Sequence, residues 1–119
     1  MKINTIDVDF SPLYEVTSND KNLSLKLLEL IHKSLGELSL NIKEAYDTGD
    51  IKQVSHYAHK LKSSIAYINV SDFNSMLLQL EALKNGGILT KDFSPMIDNL
   101  VNSSSEIKEV VAAEINNLI

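Results

Sequence analysis

Ser55-His56-Tyr57-Ala58-His59-Lys60-Leu61-Lys62-Ser63-Ser64 reads as the middle of one helix. Val54, Ala58, Leu61, Ile65 and Ile68 follow one another at alternating steps of four and three residues, which lays an apolar seam along one side of a helix. The spacing predicts a helix from 51 to about 68 with that seam against a core. On a wheel of about 100° per residue the seam centres near Leu61 and Ile65, and His59 falls roughly 140° away. His59 therefore points outward, on a face shared with His56, Ser63 and Ala66, while Lys62 sits at the flank one turn further on.

Outward from this stretch, the preceding segment carries Leu23, Leu27, Leu30, Ile31, Leu35, Leu38, Ile42, Ala45 and Tyr46 on one stripe. That predicts a long helix from about 20 to 47, and Gly36 marks the place where a bend would fall. Thr48-Gly49-Asp50 turns the chain. Gly49 suits the left-handed position after a helix, and Asp50 with Gln53 resembles a capping box. Beyond the central helix, Asn69 and Ser71 mark a break. A helix from about 72 to 84 then turns Phe73, Met76, Leu77, Leu80 and Leu83 inward, and Asn85-Gly86-Gly87 ends it.

The last helix opens near Ser94-Pro95 and runs through Ile97, Leu100, Val101, Ile107, Val111, Ile115 and Leu118. Its softest part is 102–105, where weak helix formers cluster. Ahead of everything, Ser11-Pro12 places a cap before a proline and opens at most a short helix, and residues 1–10 read as loosely ordered. Four amphipathic helices with short connections are satisfied most simply by an all-α, up-and-down antiparallel four-helix bundle with a short extra N-terminal helix. A single domain over 1–119 is expected, since 119 residues supply one core and no more.

Composition narrows the class of function. Apolar residues make up 44% and charged residues 23% of the chain, values of a soluble globular protein rather than a disordered one. There is no cysteine, which removes disulfides, thiolate metal sites and cysteine nucleophiles and fits a reducing cytoplasm. The stretch Met1-Lys2-Ile3-Asn4-Thr5-Ile6-Asp7-Val8-Asp9 alternates polar with apolar residues, so no signal peptide or spanning helix is read there. A cytoplasmic protein without a membrane partner is expected. A net charge of -5 without a basic cluster argues against nucleic acid as a partner.

Two chemistries are open to the outward face. Imidazole, with an ordinary pKa of about 6.5, is a competent nucleophile at cytoplasmic pH and takes a phosphoryl group on one ring nitrogen. Lys62 and Ser63, three and four residues from His59, are its side-chain neighbours. The lysine would offset the incoming negative charge, and the small side chains of Ser63 and Ala66 leave the face open to a partner. The alternative is a helical protein-protein interaction domain without phosphotransfer, on which His59 is an ordinary surface residue. A metal site on His56 and His59 is not expected, because no Asp, Glu or Cys completes the set on that face. His32 reads as a surface or boundary residue. No phosphate loop, nucleophile elbow or zinc-protease motif is present, and nothing resembles an enzyme that binds its own nucleotide.

The run Ala58-His59-Lys60-Leu61-Lys62-Ser63-Ser64, followed through Ile68, Asn69, Phe73, Leu80 and Glu81, resembles the histidine-containing phosphotransfer domains of multistep two-component phosphorelays. Their signature is Ala-His-x-Leu-Lys-Gly-Ser/Ala, followed by a second glycine, a leucine, and Leu-Glu or Leu-Gln closing the next helix. The resemblance implies that His59 is the phosphoacceptor, Lys62 the phosphate-facing cation, and Glu81 the group that hydrogen-bonds the other ring nitrogen. It also implies a docking face of His56, Ala66 and Tyr67 for response-regulator receiver domains and a hybrid sensor kinase. The chain would be a monomeric carrier without kinase activity or a bound cofactor of its own, with Mg²⁺ on the receiver. Ser63 and Asn69 stand where the family has glycines. Serine keeps most of the room and adds a hydroxyl, and asparagine tolerates the left-handed conformation that would end the helix there.

Overall fold

The Asp20 carboxylate accepts a hydrogen bond from the Leu23 backbone N–H at 2.9 Å, and the Asp50 carboxylate accepts one from the Gln53 N–H at 3.2 Å. These two side-chain caps start the two helices that organise the fold. In the computed structural model, which describes residues 6–87 and 91–119, they open α2 (Lys21–Asp47) and α3 (Ile51–Ser64). Between them Gly49 takes φ +74°, a left-handed turn residue that costs glycine nothing and any side chain strain. A short α1 (Ser11–Val16) precedes them, and α4 (Ser71–Glu81) and α5 (Ser94–Leu118) follow. Short 3₁₀ turns at Ala82–Asn85 and Lys91–Phe93 extend the end of α4 and lead into α5.

Packing rather than local propensity decides α3. Histidine, tyrosine and serine are indifferent helix formers, yet Val54, Ala58, Leu61 and Ile65 are 0–1% exposed. A fully buried Leu, Ile or Val stabilises by about 1.5–3 kcal/mol, against a few tenths for each propensity difference. α2 packs broadly against α5 and α3, α3 packs against α4, and α4 meets α5 along a narrower strip. Phe73, Leu77 and Leu80 from α4 and Ile97, Leu100, Ile107 and Val111 from α5 close the core. The result is the expected all-α up-and-down bundle. α1 is fastened to it by Tyr14, whose hydroxyl donates to the Glu114 carboxylate on α5, and by Thr17, whose hydroxyl meets that of Ser24 at 2.9 Å in the interior. Among the described residues, no helix is long and apolar enough to cross a membrane.

Several details differ from the sequence reading. Leu23 and Leu30 are 51% and 60% exposed, while Leu28 is fully buried. Leucine at 23, 25, 27, 28 and 30 makes the first turns of α2 apolar almost all round, so periodicity cannot fix their phase. α2 continues as helix through Gly36. Ser11 is the first residue of α1 rather than its cap, and its N–H donates to the Asp9 carboxylate at 2.9 Å. Ser94 likewise lies inside its helix, behind Phe93.

α3 stops at Ser64, four residues before the expected end, and 65–70 form a turn. The reason lies at Asn69. Its backbone N–H donates to the Asp9 carbonyl and its carbonyl accepts from the Asp9 N–H, both at 3.0 Å. This antiparallel bridge requires extended backbone, so Asn69 is not left-handed. Within the segment expected to be loose, residues 6–10 are therefore tied at Asp9, and residues 1–5 lie outside the described residues.

Candidate functional site

α3 carries its apolar seam inward, which leaves His59 on the opposite side with its side chain 56% exposed. α4 runs back alongside and ends at Glu81, so the last side chain of α4 arrives beside the imidazole. The join is fixed from below. The Ser55 hydroxyl, buried on α3 one turn before His59, donates to the Glu81 carbonyl oxygen at 2.6 Å. Past Glu81, Leu83 anchors the 3₁₀ turn in the core, and Gly86, with φ +99°, ends it.

The Glu81 carboxylate gathers three groups. Oε1 lies 2.6 Å from His59 Nδ1, Oε2 lies 2.5 Å from Lys62 Nζ, and Lys84 Nζ stands 3.8 Å from Oε1. Hydrogen bonding by Lys62 first, and by His59 second, holds the Glu81 carboxyl at about 2, well below its ordinary 4.5, against a smaller upward push from burial. At neutral pH the group is therefore ionised and can only accept hydrogen bonds. Neutral His59 must then carry its proton on Nδ1 and donate it to Oε1, which leaves the lone pair on Nε2 free. A carboxylate placed in this way fixes the tautomer and the orientation of the ring. The result is an oriented imidazole with one ring nitrogen free and a lysine bound to the same carboxylate.

The fold thus brings together His59, Lys62 and Glu81. Ser63 is exposed at the end of α3. His56, also exposed, lies one turn before His59 on the same side, with its ring tilted 57° to that of Tyr57 at a centroid distance of 5.4 Å. Ala66 and Tyr67 are exposed too, but they sit in the turn after α3 rather than on its face, because the helix ends at Ser64. Two members were missing from the sequence reading. Lys84 had a weak signal in its i, i+3 spacing from Glu81, whereas Ser55 had none, since a small residue on a buried face reads simply as packing. Among the described residues, no group of three or more His, Asp or Glu side chains is placed to hold a metal ion.

Comparison with known proteins agrees with this arrangement. The crystal structure of an HPT domain from the Hpt sensor hybrid histidine kinase of Shewanella shares the fold, with a TM-score of 0.77 over 92% of this chain and 93% of that one. Sequence identity to it is 22%, so the likeness is one of fold. No curated protein sequence matches the chain significantly. The family model described as Hpt domain matches residues 26–115, which takes in α3, α4 and the whole His59–Lys62–Glu81 cluster. By that match the chain belongs to the Hpt domain family.

Proposed function

We propose that this chain is a phosphorelay carrier: it takes a phosphoryl group on His59 from the phosphoaspartate of one receiver domain and gives it to the aspartate of another. The observation that carries this reading is the 2.6 Å contact between His59 Nδ1 and Glu81 Oε1 on a half-exposed ring. It leaves Nε2 unprotonated and open to a docked partner. The Nε2 lone pair attacks phosphorus as the P–O bond to the donor carboxylate breaks and that carboxylate leaves with the electron pair. The Nδ1 proton stays on the ring, and the positive charge that develops there faces the Glu81 carboxylate. Attack by the second aspartate on the same phosphorus reverses these changes.

Phosphoryl transfer of this kind rests on positioning and charge stabilisation. The receiver is expected to bring Mg²⁺, and this chain supplies the oriented ring and Lys62, without kinase activity of its own. Docking would use the exposed surface of His56, Ser63, Ala66 and Tyr67, with the carrier acting as a cytoplasmic monomer. A hybrid sensor kinase is the expected source of the phosphoryl group.

The test is incubation with a phosphorylated receiver. Acid-labile, base-stable label on the wild type and none on His59→Ala supports the reading. Equal label on both, or none from several receivers, refutes it and leaves an interaction domain without transfer. Lys62→Ala is expected to slow transfer with the fold intact, and Glu81→Ala to slow it through loss of the oriented tautomer.

A further inference from the structure

Lys84 belongs to no motif in the sequence, yet the fold places it beside Glu81 and in the lining of the same pocket as His59. It rides on the 3₁₀ turn that Leu83 and Gly86 hold in place. Its side chain lines, with Lys52, Ser55, His56 and His59, an open pocket of about 270 Å³. Lys52, His56 and His59 follow at i, i+4 and i+7 on one side of α3, so the pocket takes one lysine from each of two elements. Among the described residues no acidic side chain lines it, on a chain whose net charge is -5, and the nearby Glu81 carboxylate is already engaged by His59 and Lys62. The Ser55 hydroxyl is already committed to the Glu81 carbonyl, which leaves the two ammonium groups to set the pocket's preference for anions.

The two lysines around Glu81 are held differently. Lys62 Nζ sits 2.5 Å from Oε2 with its side chain 35% exposed. Lys84 Nζ stands 3.8 Å from Oε1 and is 56% exposed. The first distance is a charge-assisted hydrogen bond and the second lies beyond hydrogen-bond range. Turning Lys62 toward a phosphoryl group therefore breaks a hydrogen bond to Glu81, whereas turning Lys84 gives up only a looser, exposed ion pair. We infer that the Lys52–Lys84 pocket is a phosphoryl-oxygen subsite of His59, with Lys84 as its principal cation and Lys62 joining only as it releases Glu81. The inference rests on the phosphocarrier reading and adds a binding residue to it.

The test charges the full chain with phosphoramidate, a small donor that removes receiver docking from the comparison, and follows the phosphoryl group by ³¹P NMR against pH, with His59→Ala as blank. A nearby ammonium favours the dianion, so Lys84→Ala should raise the midpoint of the phosphoryl titration, and Lys84→Arg should restore it. Transfer from a phosphorylated receiver should fall about fivefold in Lys84→Ala, the scale of one exposed ion pair. Lys108→Ala, which removes the same charge beside Gly36, should change neither readout. A wild type that accepts no label from either donor removes the carrier reading itself. A wild type that labels normally, beside a folded Lys84→Ala with unmoved midpoint and rate, overturns this inference alone.

Discussion

Removing the Lys62 ammonium perturbs the cluster at its strongest contact, and the consequence is read at Glu81. The carboxyl is held at about 2 instead of 4.5, with the Lys62 hydrogen bond as the largest cause and that of His59 second. A folded-state value below the unfolded one means that the ionised form is favoured in the native protein. The stabilisation it brings is complete above the unfolded value near 4.5 and is lost as pH falls from there through about 2. In Lys62→Ala the Glu81 midpoint should climb toward 4.5 and stop short of it, because the His59 Nδ1 contact at 2.6 Å remains. The assay is the ¹³Cδ chemical shift of Glu81 followed from neutral to acid pH in both proteins. The variant still has an ionised Glu81 at neutral pH and therefore the same His59 tautomer, so a drop in its transfer rate reports lost phosphoryl binding alone. A wild-type midpoint at the ordinary value, or a variant midpoint identical to the wild type, would refute the cluster as described.

Three further substitutions test the scaffold. Ser55→Ala removes the 2.6 Å hydrogen bond to the Glu81 carbonyl. It should cost about 1 kcal/mol by urea unfolding and slow phosphotransfer as Glu81 loses its fixed position; a fully normal rate would deny Ser55 that role. Gly36→Ala places a methyl against the end of the flexible Lys108 side chain, 2.9 Å from Nζ, inside an otherwise regular helix. It should stabilise by about 0.5–1 kcal/mol, and destabilisation would mean that Lys108 cannot yield. The Ser104 hydroxyl, 1% exposed on α5, has no hydrogen-bond partner among the described residues. Ser104→Ala should therefore leave stability unchanged or raise it by about 1 kcal/mol, and a loss of more than that in urea unfolding would show a partner for the hydroxyl.

Legibility from the sequence followed how much each residue's environment was set by its own helix. The seam of α3 was readable because Val54, Ala58, Leu61 and Ile65 alternate with polar residues, so only one phase buries them all. The start of α2 was not, because leucines on most sides allow several phases, and contact with α1 and α5 chooses among them. The end of α3 was missed for a related reason. Nothing within 51–68 marks Ser64 as a terminus; the stop comes from Asp9, sixty residues upstream of Asn69, which draws that residue into an extended bridge. At the site, periodicity turned His59 outward, and the family motif gave it partners in Lys62 and Glu81. Ser55 needed the fold, since its distance to Glu81 depends on where α4 ends against α3, and Lys84 was signalled only weakly by its i, i+3 spacing from Glu81.

Charge balance explains why one carboxylate serving several cations suits a carrier. Before transfer, Glu81 faces Lys62 and Lys84, so the cluster holds one positive charge in excess while His59 is neutral. In the proposed transfer a phosphoryl dianion would be added and a positive charge left on the ring, and the excess would fall to zero. The incoming group is drawn in by a cluster it brings to neutrality. Once it is in place, no surplus of cations remains in the cluster to bind the phosphoryl group too tightly for release. Glu81 moderates both stages, because each lysine that turns to the phosphoryl oxygens must give up part of its attraction to the carboxylate. Replacing Glu81 with Gln removes that competition while keeping a hydrogen-bond acceptor for Nδ1. The phosphorylated form should then hold its group more tightly, and onward transfer to the second receiver should slow more than loading from the first. Equal slowing of both half-reactions would assign Glu81 to orientation alone.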